Sequence, residues 1–212
     1  SDGINTSSST TMSIDIRPDT TLAKLVVETP NVDLDEGFKL DHWENLDFDY
    51  NNGSGVAPDV VEQAIESAGV ANTSDVTQTP DFGTQNSPAI ENISSKLTGL
   101  VFLVAGESYV FSGHVDDSFR LEVGGETMAS QTWGGGGTYE SSAFVPSASG
   151  WYTITAFHDN EAGPGNATIS VAVGGNEPVD FNTDNFDIVP DVSSLEDKIN
   201  IGTQVEHESL EG

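Results

Sequence analysis

Two aspartates, Asp116 and Asp117, stand side by side where one alternating run (Tyr109, Phe111, Gly113, Val115) ends and another (Phe119, Leu121, Val123) begins. In a regular strand neighbouring side chains point to opposite faces, so the pair serves one site only if the backbone between them is irregular. Two carboxylates brought together repel, and each has its pKa raised unless a cation lies between them. The chain has no cysteine, and His114 and His158 are nearby but not required, so the donors are oxygens. Oxygen donors favour a hard cation, calcium ahead of magnesium. The plainer alternative is a polar turn between two strands of an acidic protein.

The elements that must position such a pair are strands. Leu100 to Val104 is a short apolar run, and Trp151–Phe157 and Ala167–Val173 repeat the alternation seen around the aspartates. Turn residues separate these runs at Ala105-Gly106-Glu107, Gly124-Gly125, Ser149-Gly150 and Gly163-Pro164-Gly165. Strands at this spacing without alternating helices predict an all-β fold, an antiparallel β-sandwich with one or two short peripheral helices. One helix is expected from Pro58, with Val60, Val61, Ala64, Ile65 and Ala68 as its apolar stripe and Gly69 as its stop. Residues 1–11 are Ser/Thr-rich and read as a linker, 12–190 as the sandwich, and 191–212 as an acidic C-terminal extension or linker to a next module. Within the sandwich, Leu22, Leu25, Val26 and Val27 suggest extended segments broken by Pro18 and Pro30, and the residues after Asn176 are poorly patterned and able to return as an edge strand.

Charge narrows the partners. Thirty-five Asp+Glu against six Lys+Arg give a formal net charge of −29. Nucleic acid is excluded as a partner, because phosphate binding needs clustered Lys and Arg, and docking on anionic lipid is disfavoured for the same reason. Such charge weakens a compact fold by self-repulsion, which salt or bound divalent cations relieve. The absence of cysteine leans towards a bacterial exported protein stapled by metal or by core size. No stretch approaches the about 18–20 apolar residues of a membrane span, and no leader-like segment opens the chain, which reads as a piece of something longer.

Three blocks, in order, carry a resemblance: LTGLVFLVAGESYVFSGHVDDSFRLEVGG, then TWGGGG, then SGWYTITAFHDNEAGPGNATISV. Residues 97–175, somewhat over a third of the chain, resemble the protective-antigen-type lectin fold, the PA-fourteen family of yeast flocculins and bacterial repeats-in-toxin adhesins. The resemblance implies that a cis peptide bond joins Asp116 and Asp117 and turns both carboxylates to one calcium ion. It implies further ligands from the loop His158–Gly165: one side-chain oxygen, from Asp159 or else Asn160, and backbone carbonyls, those of Glu161 and Gly163 if Asp159 is the side-chain ligand. Counting from the preceding strand favours Asp159; counting back from Ile169 favours Asn160.

By the same resemblance the ion keeps open positions at which neighbouring sugar hydroxyls replace water. Asp116, Asp117 and Asp159 would then touch sugar through the metal. Gly134, Gly135 and Gly136 let the backbone approach it, and Trp133 offers an apolar face to a ring. The expected function is a calcium-dependent carbohydrate-binding module of a large extracellular, surface-attached bacterial adhesin. Its partners would be cell-surface glycans or monosaccharides such as fucose or glucose, with neighbouring adhesin domains in the full-length chain. The alternative is a calcium-stiffened spacer without sugar binding.

Catalysis is not expected. Glycoside hydrolysis needs carboxylates about 5–10 Å apart, one with a raised pKa, and a pair converging on one metal is too close and fully ionised. His-Glu-x-x-His and Gly-x-Ser-x-Gly are both missing. Asp47, Asp49 and Asn51 imitate a calcium loop, but Gly53 comes one place late and Pro58 takes the twelfth position. Asp180, Asn182, Asp184 and Asp187 suggest a second structural calcium, against the simpler reading of a solvated acidic segment.

Overall fold

The computed structural model describes residues 36–48, 55–80, 82, 92–132, 137–161 and 165–191. Chain order begins with β1 (Phe38–Glu44), α1 (Pro58–Ala68) and β2 (Thr73–Thr77). Next come β3 (Ile93–Leu103), β4 (Tyr109–Asp116), β5 (Ser118–Val123) and β6 (Glu126–Gln131). β7 (Gly137–Glu140) and β8 (Gly150–Asn160) precede four short strands, β9 (Asn166–Ala167), β10 (Ser170–Val173), β11 (Val179–Asp180) and β12 (Ile188–Val189). The fold is an antiparallel sandwich. One sheet runs β2-β1-β3-β8-β5-β6 with β12 on β3, and the other runs β11-β10-β4-β7 with β9 on β4.

Alternation puts the apolar residues between the sheets. Leu97, Val101 and Leu103 of β3, Phe119, Leu121 and Val123 of β5, and Ile154 and Ala156 of β8 meet Tyr109, Phe111 and Val115 of β4 in one buried cluster. The long β8 lies between β3 and β5 and pairs with both, Asn160 opposite Ile93 and Asp159 opposite Ser118.

The helix covers the outer face of the first sheet. Pro58 occupies its first turn, and Gly69 ends it at a φ of 78°. Its buried residues are Pro58, Val61 and Ile65, packed with Trp43, Val56 and Phe157, whereas Val60 of the expected stripe remains 45% exposed. Arg120 of β5 anchors it through Glu62 at 2.8 Å, and Glu122 takes the other guanidinium nitrogen. It is the one helix among the described residues.

One expectation is corrected. The run Ala167–Val173 is not one strand: it breaks at Thr168 and Ile169 into β9 and β10. The cause is a close crossing over β4, where the Thr168 N–H donates to the His114 carbonyl at 2.9 Å and the Thr168 hydroxyl accepts from the His114 N–H at 2.9 Å. Gly113 permits that approach, since a Cβ there would lie 1.9 Å from the Thr168 carbonyl oxygen. The segment after Asn176 does return as an edge strand, β11 on β10, and it also adds β12 on β3, with Phe181, Ile188 and Val189 buried. The segments expected around Pro18 and Pro30, the 1–11 linker and residues 192–212 lie outside the described residues.

Candidate functional site

β4 ends at Asp116 in one sheet, and β5 begins at Ser118 in the other, so the chain changes sheets across the two aspartates. The peptide bond between them is cis. Their carboxyls meet: Asp117 is in hydrogen-bond contact with Asp116. Asp117 is 6% exposed, and its Oδ2 accepts the Glu161 N–H at 3.0 Å. Burial pushes the Asp117 pKa up to about 7; the Glu161 N–H opposes that, and the Asp116 carboxyl and the Glu161 charge add to it.

Behind the pair stands His158. Its ring is fully buried, and burial pulls its pKa down to about 4. Nε2 lies 2.9 Å from the Asp116 carbonyl oxygen, which belongs to the peptide unit joining the aspartates.

Strand parity sorts the neighbouring ligand candidates. β8 is paired with β5 as far as Asp159 and with β3 as far as Asn160, so Ile154, Ala156, His158 and Asn160 share the face that looks into the sandwich. Phe157 and Asp159 face the helix side instead. Asp159 is 1% exposed there, and its Oδ1 accepts the Ser94 hydroxyl at 2.6 Å. The structure thus brings Asn160, and not the Asp159 side chain, to the face where His158 meets Asp116.

Both described ends of the following loop reach the site. Glu161 donates to Asp117, and Gly165 lies so near Asn160 that a Cβ there would be 2.3 Å from the amide oxygen. Asn166 pairs with Asp116, and its Oδ1 lies 3.1 Å from His114 Nδ1. The glycine-rich segment is anchored just as near. Gln131 before it pairs with Phe119, and Gly137 after it pairs with Val115, so its two ends straddle the aspartates. Trp133, Gly134, Gly135, Gly136 and Gly163 lie outside the described residues.

The donor set suits a hard cation: two carboxyls that repel while unneutralised, a side-chain amide on the same face, and no sulfur. Among the described residues no group of three or more His, Cys, Asp or Glu is disposed to hold a metal. Sequence reasoning set His158 aside and missed Ser94, Gly165 and the Gly113–Thr168 crossing. A histidine in the inward row of an otherwise apolar strand was the available signal for the first.

No protein-family model matches the sequence, and no curated protein matches it. Solved structures do match. A PA14 sugar-binding domain from an RTX adhesin aligns with a TM-score of 0.60 and 21% identity, over 73% of this chain and 98% of that one. The fold is that of PA14 domains. A second such structure is the PA14 domain of the MpAFP antifreeze protein, with a TM-score of 0.59 and 15% identity over 73% of this chain and 90% of that one. The epithelial adhesin 9 A domain from Candida glabrata, solved in complex with Galb1-3GlcNAc, matches with a TM-score of 0.56 and 14% identity over 74% of this chain and 90% of that one. The PA14 fold is thus the one that residues 97–175 led us to expect. No helix among the described residues is long and apolar enough to cross a membrane.

Proposed function

We propose that this chain is a calcium-dependent carbohydrate-binding module of an extracellular adhesin. The observation that carries the reading is the meeting of the Asp116 and Asp117 carboxyls in one site at the end of β8. All three described cations are elsewhere: Lys39 pairs with Asp41, Arg120 with Glu62 and Glu122, and Lys96 lies over Phe157. The sugar-bound structures that share the fold support it further.

In this reading Asp116 and Asp117 supply the charge that holds the ion, and Asn160 supplies the side-chain oxygen in place of Asp159. Glu161 fixes Asp117 through its N–H, and backbone carbonyls of the loop it opens would complete the set. Bound calcium would provide open coordination positions for two neighbouring hydroxyls of a sugar. Trp133 and Gly134, Gly135 and Gly136, in the segment anchored on either side of the pair, would select among sugars such as fucose and glucose on cell-surface glycans.

Titration calorimetry with a monosaccharide panel, in millimolar calcium and again with chelator, tests this. Saturable binding that vanishes with chelator is the expected result. Calcium uptake without heat from any sugar would instead identify a calcium-stiffened spacer, and absence of calcium uptake would overturn both.

A further inference from the structure

The inward row of β8 becomes polar where it reaches the aspartates: Ile154 and Ala156 are followed by His158. A buried imidazole costs stability unless its polar atoms are engaged, so its place in this row calls for a partner. That partner is the Asp116 carbonyl oxygen, 2.9 Å from Nε2. A carbonyl only accepts, so Nε2 carries the proton. Nδ1 is buried and has no hydrogen-bond partner, which suits the bare lone pair of that tautomer; an ionised ring would have to donate there as well.

We propose that His158 is a positioning residue for the Asp116–Asp117 site: its Nε2–H grips the carbonyl of the peptide unit between the aspartates and so keeps both carboxyls turned to one cation. This rests on the calcium reading above. A peptide unit is planar and its two Cα atoms lie in the same plane as its oxygen, so holding that oxygen restrains the positions of the Cα atoms from which both carboxyl-bearing side chains leave. The ring is itself held. Phe82 packs against it at 5.5 Å between centroids, and Phe119 and Ser95 flank it on the neighbouring strands. Ser95 in turn is tied to His42 Nδ1 at 2.8 Å, which extends a polar row from β1 across β3 to β8. Outer partners that orient metal ligands in this way are commonly worth about ten- to a hundredfold in metal affinity.

The test is calcium titration calorimetry on the full chain, comparing wild type with His158→Phe and His158→Gln, alongside unfolding curves in chelator. Phenylalanine fills the space but cannot donate; glutamine places an amide N–H at similar reach. We expect His158→Phe to weaken calcium binding by about tenfold or more and His158→Gln to recover most of the loss. A folded His158→Phe protein that binds calcium like wild type overturns the proposal and leaves the calcium reading standing. Loss in both variants in proportion to lowered stability overturns it too, because a packing role alone predicts that. Failure of wild type to bind calcium removes the calcium reading and this one together. Should His158→Phe not fold, ring nitrogen NMR on wild type decides: the Nε2–H tautomer and a shift on adding calcium are expected, and an Nδ1–H tautomer overturns the assignment.

Discussion

At the scale of single residues, Asp159 and Asn160 are neighbours with opposite duties. Both are buried, but strand parity sends the Asp159 carboxylate to Ser94 on the helix side and the Asn160 amide to the inner face beside Gly165. Replacing Asp159 by alanine would leave the Ser94 hydroxyl without that acceptor in a dry site, which costs about 1–3 kcal/mol of stability. Asp159→Ala should therefore lower the denaturant midpoint yet keep calcium affinity within a few fold. Asn160→Ala should do the reverse, with about tenfold weaker calcium binding and little change in unfolding. Calorimetry and urea titration on the two variants distinguish them, and equal loss of calcium by both would contradict the parity argument. The sequence could not separate the two, because counting from the strands on either side gave different answers. What separates them is long-range: the register of β8 against β3 and β5, and the contact of His158 with a carbonyl 42 positions earlier. By contrast the Asp116–Asp117 pair stood out from its position between two alternating runs.

The elements around the site owe their shape to two close approaches by glycine. Gly113 lets the Thr168 backbone cross β4, which ends β9 beside the aspartates and continues the chain as β10 along the Tyr109–Ser112 half of β4. Gly113→Ala places a methyl 1.9 Å from a carbonyl oxygen that has no room to yield, so the crossing must shift. Overpacking of this kind costs about 1–3 kcal/mol, readable as a lower urea midpoint at unchanged slope. Gly165→Ala is milder for the fold, because its Cβ would meet the Asn160 side chain and not the main chain. There the displaced amide should appear as lost calcium affinity with stability nearly intact; unchanged affinity would remove Asn160 from the ligand set. Alternation made β4, β5 and β8 legible because each buries one face on the core. β2 was not legible, since Thr73–Thr77 is an edge strand whose residues are nearly all exposed and carry no apolar period. β9 and β10 looked continuous because a crossing allowed by a distant glycine leaves no mark on the local pattern.

For the whole molecule the governing quantity is the net charge of −29. The described cations are engaged on the outer face of the first sheet: Arg120 holds α1 through Glu62, Lys96 lies over Phe157, and Lys39 pairs with Asp41. The end of the sandwich that carries Asp116 and Asp117 takes no share of them. Two effects of calcium on stability should then superimpose. Any salt screens the general repulsion and raises the unfolding temperature smoothly with ionic strength. A bound ion adds a saturating term, about 2.7 kcal/mol when its concentration is a hundred times the dissociation constant. Thermal unfolding in millimolar calcium chloride should therefore exceed that in sodium chloride of equal ionic strength, and Asp116→Ala should abolish the excess while keeping the salt response. Coincident curves for the two salts would mean that screening alone is at work. The comparison with magnesium carries the argument one step further. A site completed by amide and carbonyl oxygens from a loop tolerates irregular, higher coordination, which suits calcium, whereas magnesium demands near-octahedral geometry and gives up its water reluctantly. Magnesium should reproduce the screening part and little of the saturating part, so the difference between the two divalent ions isolates the contribution of the Asp116–Asp117 site from that of the acidic surface.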